Sequence, residues 1–134
     1  VKEVLGPFAV YHHIDLKIVG KYDERYRMPE RNPEFIQSEK KLFICFNYSS
    51  LDEIEVAVER KKNKGESFVN YLEIPHPVDI LIRTGGAQTL SGFMLPQLAF
   101  ARLFFLNKLF NDLTVQEVRD IVRVYREYGL KYGE

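Results

Sequence analysis

One cysteine, no net charge and no long apolar run mark what this 134-residue sequence has little of, and each shortage removes a class of protein. Cys45 cannot close an internal disulfide, and no His or Cys cluster has metal-ligand spacing, which points to a reducing, cytoplasmic setting. The bland reading of Cys45 is a small buried hydrophobe in an apolar run. With 19 Lys+Arg against 19 Asp+Glu, no nucleic-acid partner is expected, because affinity for a phosphate backbone needs a surplus of basic side chains. A local basic patch stays open. No stretch approaches the roughly 18 consecutive apolar residues of a membrane span, and the start lacks a basic segment followed by an apolar one, so a soluble chain is expected. Internal repeats and low-complexity segments are also missing. The first residue is Val1 instead of Met, which suggests a sequence that begins inside a longer gene product or after processing.

What remains is a chain with 46% hydrophobic and 28% charged residues. That is enough for one globular domain over residues 1–134 with its own core, since a chain of this size buries roughly two-thirds of the surface it exposes when unfolded. Three short runs rich in β-branched and aromatic residues read as buried strands: residues 14–19 ended by Gly20, residues 42–48, and residues 78–82 ended by Arg83-Thr84-Gly85-Gly86. The run Leu42-Phe43-Ile44-Cys45-Phe46 is continuously apolar, as a parallel strand covered on both faces should be. An α/β fold follows, with a mainly parallel sheet flanked by helices.

Ser50-Leu51-Asp52-Glu53 reads as a capping box that opens a helix with Ile54, Ala57 and Val58 on one face, ending in the polar run 60–65. Thr114-Val115-Gln116-Glu117 reads as a second box, opening a helix with Val118, Ile121, Val122 and Tyr125 at spacings of three and four. Between them, Pro96 suits a first helical turn, and a short helix over 95–101 is expected to run into a final strand at Leu103-Phe104-Phe105-Leu106. The charged segment 21–41, with Pro29 and Pro33, reads as a surface loop with a short helix after Asn32.

The end of the third strand holds the residues most suited to chemistry. In open α/β sheets ligands bind beyond the carboxyl ends of strands. Arg83 offers a planar fork of donors for phosphate, Gly85 and Gly86 would let backbone N–H groups approach an anion, and Ser91 adds a hydroxyl. The competing reading is a plain Gly-Gly turn. His12, His13 and His76 fit loop positions better than catalytic bases. Asp112 and Asp120 fit a loop and a helix surface better than an acid–base pair. Phe100, Phe104, Phe105 and Phe110 suit core packing, with a lipid cleft as the alternative. Arg60-Lys61-Lys62-Asn63-Lys64 suits a solvated helix end, with membrane-surface contact behind it.

The stretch from Val78 to Gly86, followed by Gln88, Leu90-Ser91, Phe93, Leu95, Gln97-Leu98-Ala99-Phe100-Ala101 and Leu103-Phe104-Phe105, resembles the signature region of the cis-prenyltransferases, the undecaprenyl diphosphate synthase family. The strand ending in Gly20 is similar to the family's Ile-Gly-Asp strand, Asn47-Tyr48-Ser49-Ser50 to its Asn-Tyr-Gly-Gly turn, and Lys131-Tyr132-Gly133 to its C-terminal Arg-X-Gly motif. The resemblance implies a cis-prenyltransferase-like fold, of which this chain is the C-terminal part. It also implies a transferase that condenses isopentenyl diphosphate with an allylic diphosphate, with Mg²⁺. Arg83 and Ser91 match residues that bind the isopentenyl diphosphate, and Gly85 and Gly86 match the turn that shapes the pocket. Asn47, Arg102 and Lys131 match outer positions of the site.

Departures from the pattern bear on activity. Ala87 stands where the family has Glu, Thr89 where it has a second diphosphate-binding Arg, Gly92 where it has Asn, and Pro96 where it has Trp. Arg102 stands where an acidic residue helps to hold Mg²⁺, and a guanidinium cannot ligate a metal. It could meet a phosphate instead, or form an ordinary salt bridge. The Asp-Gly-Asn-Gly-Arg motif and the helices that wall the product tunnel have no counterpart, so no catalytic or metal-ligating residue is assigned. The resemblance implies a homodimer or a heterodimer with a homologous subunit, and a lipid product implies peripheral membrane contact. The alternatives are a non-catalytic accessory subunit of a two-component enzyme and a diphosphate-binding module.

Overall fold

The computed structural model describes residues 2–21 and 38–128. The chain divides into two compact units, residues 1–75 and 76–134.

The first unit contains α1 (Lys2–Tyr11), β1 (Asp15–Val19), β2 (Lys41–Cys45) and α2 (Ser50–Arg60), followed by a 3₁₀ turn over Phe68–Tyr71. α1 was not expected, and Pro7 lies within it. It ends in a Schellman arrangement: Ile14 N–H reaches back to the Ala9 carbonyl and His13 N–H to that of Val10, with His13 at φ +51. β1 and β2 run parallel, with Leu16 opposite Leu42 and Ile18 opposite Ile44. Leu16, Ile18 and Val19 of β1 are buried, together with Ala57 of α2 and Leu72 and Ile74.

α2 begins one residue away from the predicted box. Ser49, not Ser50, is the cap; its hydroxyl accepts from Asp52 N–H, while its carbonyl accepts from Glu53 N–H at 3.1 Å. Burial explains the difference. Ser50 is fully buried, and the Glu53 carboxylate has turned inward to accept from the Tyr48 hydroxyl at 2.5 Å and from Ile74 N–H at 3.1 Å. The helix stops at Arg60, where the polar run begins.

The second unit contains β3 (Ile80–Arg83), β4 (Arg102–Phe105), a 3₁₀ turn over Phe110–Asp112, and α3 (Val115–Tyr128). β3 and β4 are also parallel, pairing Ile80 with Arg102 and Arg83 with Phe105. The helix expected over 95–101 does not form. That stretch is a series of turns held by isolated bonds from Leu98 N–H to Met94 and from Ala101 N–H to Leu98, with Met94 in a left-handed conformation that interrupts a helical run. Phe104 and Phe105 are half-buried in β4. Phe100 and Phe110 are 72% and 75% exposed, so the expectation of core packing fails for these two, which lie in turns outside the strand.

The Thr114–Glu117 box forms as read. Thr114 N–H donates to the Glu117 carboxylate at 2.8 Å, and Glu117 N–H donates to the Thr114 hydroxyl at 3.2 Å. Among the described residues of the helix, Ile121 is buried. Residues 22–37, including most of the expected surface loop, and Lys131 lie outside the described residues.

Candidate functional site

The site is built on the loop that leaves the carboxyl end of β3. Between Gly85 and Met94 the backbone takes a positive φ five times, at Gly85 (+89), Gly86 (+77), Ser91 (+49), Gly92 (+72) and Met94 (+46). Three of these are glycines, which enter that region without a Cβ penalty. A Cβ on Gly86 would also come within 2.8 Å of the Asn107 amide oxygen. The turn therefore needs its glycines, but not in the way the sequence suggested. Gly85 N–H donates to the Lys108 carbonyl at 2.7 Å and Gly86 N–H to that of Leu106 at 3.1 Å. These donors tie the turn to the chain after β4 and do not form an anion cradle.

The donors suited to an anion are on side chains instead. The Arg83 guanidinium donates through Nη1 to the Thr89 carbonyl and through Nη2 to Ser91 Oγ at 3.2 Å. Thr89 Oγ1 lies 3.1 Å from Ser91 Oγ. All of these bonds are exposed. The loop has folded a single cation and two hydroxyls together, and the guanidinium keeps further N–H donors for a ligand. Ser91 holds its left-handed φ without being glycine, a conformation that costs about 1–3 kcal/mol and persists only where surrounding contacts fix it. Its bonds to Arg83 and Thr89 are such contacts.

Arg102 pairs with Ile80, three residues before Arg83 along β3, or roughly 10 Å along a strand. It opens β4 at the far end of the ladder from the Arg83 cluster. Asn47 belongs to the first unit. There it takes φ +46, accepts from Lys21 N–H at 3.2 Å through its carbonyl, and donates from its side chain to the Lys21 carbonyl at 3.4 Å.

The first unit holds a feature that the sequence reading missed, a cavity of about 280 Å³ at the carboxyl ends of β1 and β2, lined by residues including Gly20, Lys21, Tyr48, Asp52, Glu53 and Glu73. The rule that ligands gather beyond strand ends could have located it. Its charges are partly matched internally, with Lys21 Nζ 2.9 Å from Asp52. Burial, followed by the hydrogen bond to Glu53, raises the Tyr48 phenol pKa. Burial, with the Glu53 and Glu73 charges behind it, pushes the Cys45 thiol up to about 11. That thiol is protonated near neutrality and is no nucleophile. Among the described residues no group of three or more His, Cys, Asp or Glu side chains could hold a metal ion. These residues do not fit a Mg²⁺ site.

Comparison with known proteins decides what the loop belongs to. The Prenyltransf family model, which describes undecaprenyl diphosphate synthases, matches residues 12–133. The chain belongs to the undecaprenyl diphosphate synthase family. A Treponema denticola isoprenyl transferase is 38% identical over 101 residues, covering 69% of this chain and 44% of the relative. A Thermotoga maritima isoprenyl transferase is 32% identical over 130 residues, covering 87% of this chain and 53% of the relative. A Coxiella burnetii relative, 35% identical over 108 residues with 69% and 45% covered, is named a ditrans,polycis-undecaprenyl-diphosphate synthase specific for (2E,6E)-farnesyl diphosphate. The chain thus spans about half the length of these family members.

The fold agrees. The crystal structure of a probable undecaprenyl diphosphate synthase from Campylobacter jejuni superposes with a TM-score of 0.78 at 24% identity, covering 99% of this chain and 69% of that one. No helix among the described residues is long and apolar enough to cross a membrane.

Proposed function

We propose that this chain is the part of a polyprenyl, undecaprenyl-type diphosphate synthase that receives isopentenyl diphosphate for condensation with an allylic diphosphate. The observation that carries the reading is the Arg83–Ser91 pair, folded together at the carboxyl end of β3 in a member of this family. A guanidinium meets phosphate oxygens with two parallel donors, and a hydroxyl adds a third. In the condensation isopentenyl diphosphate keeps its own diphosphate, so the pair has no leaving group to stabilise. Its task is to anchor one end of the substrate so that the reacting double bond is presented in one orientation, which lowers the entropic part of the barrier.

The other half of the reaction, departure of the allylic diphosphate, develops negative charge on its oxygens. Family members meet that charge with Mg²⁺. No step is assigned to a metal on the described residues of this chain. The same reading includes a dimer, either of two copies or with a homologous subunit, in the cytoplasm and in peripheral contact with the membrane that takes the lipid product.

Ala87 and Arg102, which stand where the family has acids, and Thr89, which stands where it has a second diphosphate-binding Arg, favour a second reading, an accessory subunit. One experiment separates the two. The full-length protein is incubated with labelled isopentenyl diphosphate, farnesyl diphosphate and Mg²⁺, alone and with a homologous subunit. Chain elongation by the protein alone supports the synthase, elongation only with the second subunit supports the accessory role, and no product in either arm overturns both.

A further inference from the structure

Beside Arg83 and Ser91, the hydrogen-bonded cluster contains a third residue, Thr89, whose placement has its own consequence. Ser91 Oγ has two lone pairs and one hydrogen. Arg83 Nη2, which can only donate, occupies one lone pair at 3.2 Å. Thr89 Oγ1, at 3.1 Å, is positioned to fill the other. When it does, the Ser91 hydrogen has no partner within the cluster and must point out of it. An anion outside the cluster favours this polarity, because a hydroxyl bond to a charged oxygen is about twice as strong as a neutral one. A chain of donors running in one direction also reinforces itself.

We propose that Thr89 is a positioning residue of the diphosphate site: its hydroxyl donates to Ser91 Oγ and so turns Ser91 into an outward-facing donor to the ligand. The same residue steadies the cation, since its carbonyl accepts from Arg83 Nη1. One residue thereby aligns both groups that would touch the anion, the cation through its backbone and the hydroxyl through its side chain. The inference rests on the reading of this loop as a diphosphate site and adds to it which side chain sets the direction of its donors.

Inorganic pyrophosphate, titrated into the full chain by calorimetry, is the probe. Thr89→Val keeps the shape and the carbonyl but removes the hydroxyl, and is expected to weaken binding about three- to tenfold, the worth of one hydrogen bond. Thr89→Ser restores the donor and is expected to remain within about twofold of the unaltered chain. Combining each with Ser91→Ala gives a readout that a merely structural role would not move: the loss caused by Ser91→Ala should shrink when Thr89 is already Val. Equal binding by Thr89→Val and the unaltered chain, or additive losses in the double variant, would overturn the assignment of Thr89 while leaving the diphosphate site standing. No pyrophosphate binding by the unaltered chain would overturn the site and this inference together.

Discussion

Gly20 shows how a single residue can hold the cavity-lining edge of the first unit in place. It sits at φ +131 where β1 ends, and a Cβ there would run into the Phe46 carbonyl. That carbonyl is backbone and cannot swing aside. Adding strain to steric conflict, Gly20→Ala should cost roughly 2–5 kcal/mol, read as a lower midpoint in thermal or denaturant unfolding; an unchanged midpoint would refute the close approach. At the same scale Glu53 explains why the first capping box was misread. Spacing alone cannot distinguish a glutamate that reaches back to its own helix from one that points inward. Here the inward partners, the Tyr48 hydroxyl and Ile74 N–H, come from outside the helix and one of them lies 21 residues away. Arg83 and Ser91 were singled out by the family pattern, and the fold brings their side chains together. Thr89 stood out only as a departure from that pattern, because its proposed role depends on the chain folding its hydroxyl against Ser91.

Among the elements, α3 was read most completely, since its box is local and its apolar residues repeat at helical spacing. Its start also makes a pH prediction. The Glu117 carboxylate accepts from Lys108 Nζ at 2.5 Å and from Thr114 N–H and Oγ1, each at 2.8 Å. The Lys108 bond first, then those from Thr114, hold its pKa down at about 2 from an ordinary 4.5. A depressed carboxylate contributes stability that is fully present above the unfolded value and lost as pH falls through the folded one. The contribution of this site should therefore decline between about pH 4.5 and pH 2. Because the group is exposed, added salt should shrink it. Thermal midpoints measured against pH test this: Glu117→Gln should flatten the slope in that window, and an unaltered slope would contradict it.

Two elements misled, one for a local reason and one for a distant partner. α1 contains Gly6 and Pro7, which mask its pattern. The stretch 95–101 has helical composition, yet Met94 breaks the run at its start, and its backbone groups are partly spent elsewhere: the Gln97 carbonyl accepts from Val78 N–H at 2.9 Å. The strands were legible because short β-branched and aromatic runs bounded by turn or cap residues leave few alternatives, though most of their ends differ by a residue or more.

Over the whole molecule, the parallel strand pairs and the loops at their ends are in place, and among the described residues no group of three or more His, Cys, Asp or Glu side chains could hold a metal ion. The loop after β3 retains one cation and two hydroxyls, and its glycine N–H groups close the turn instead of facing a ligand. On the proposed reading the loop is the means to hold one diphosphate, and the measurement that tests this most directly is calorimetric titration of isopentenyl diphosphate into the full chain and into Arg83→Ala. Saturable binding by the unaltered chain that falls at least about tenfold in Arg83→Ala, as expected when a charged hydrogen-bond donor to phosphate is removed, is the predicted result. Equal binding by the two chains, or no binding by the unaltered one, would contradict it.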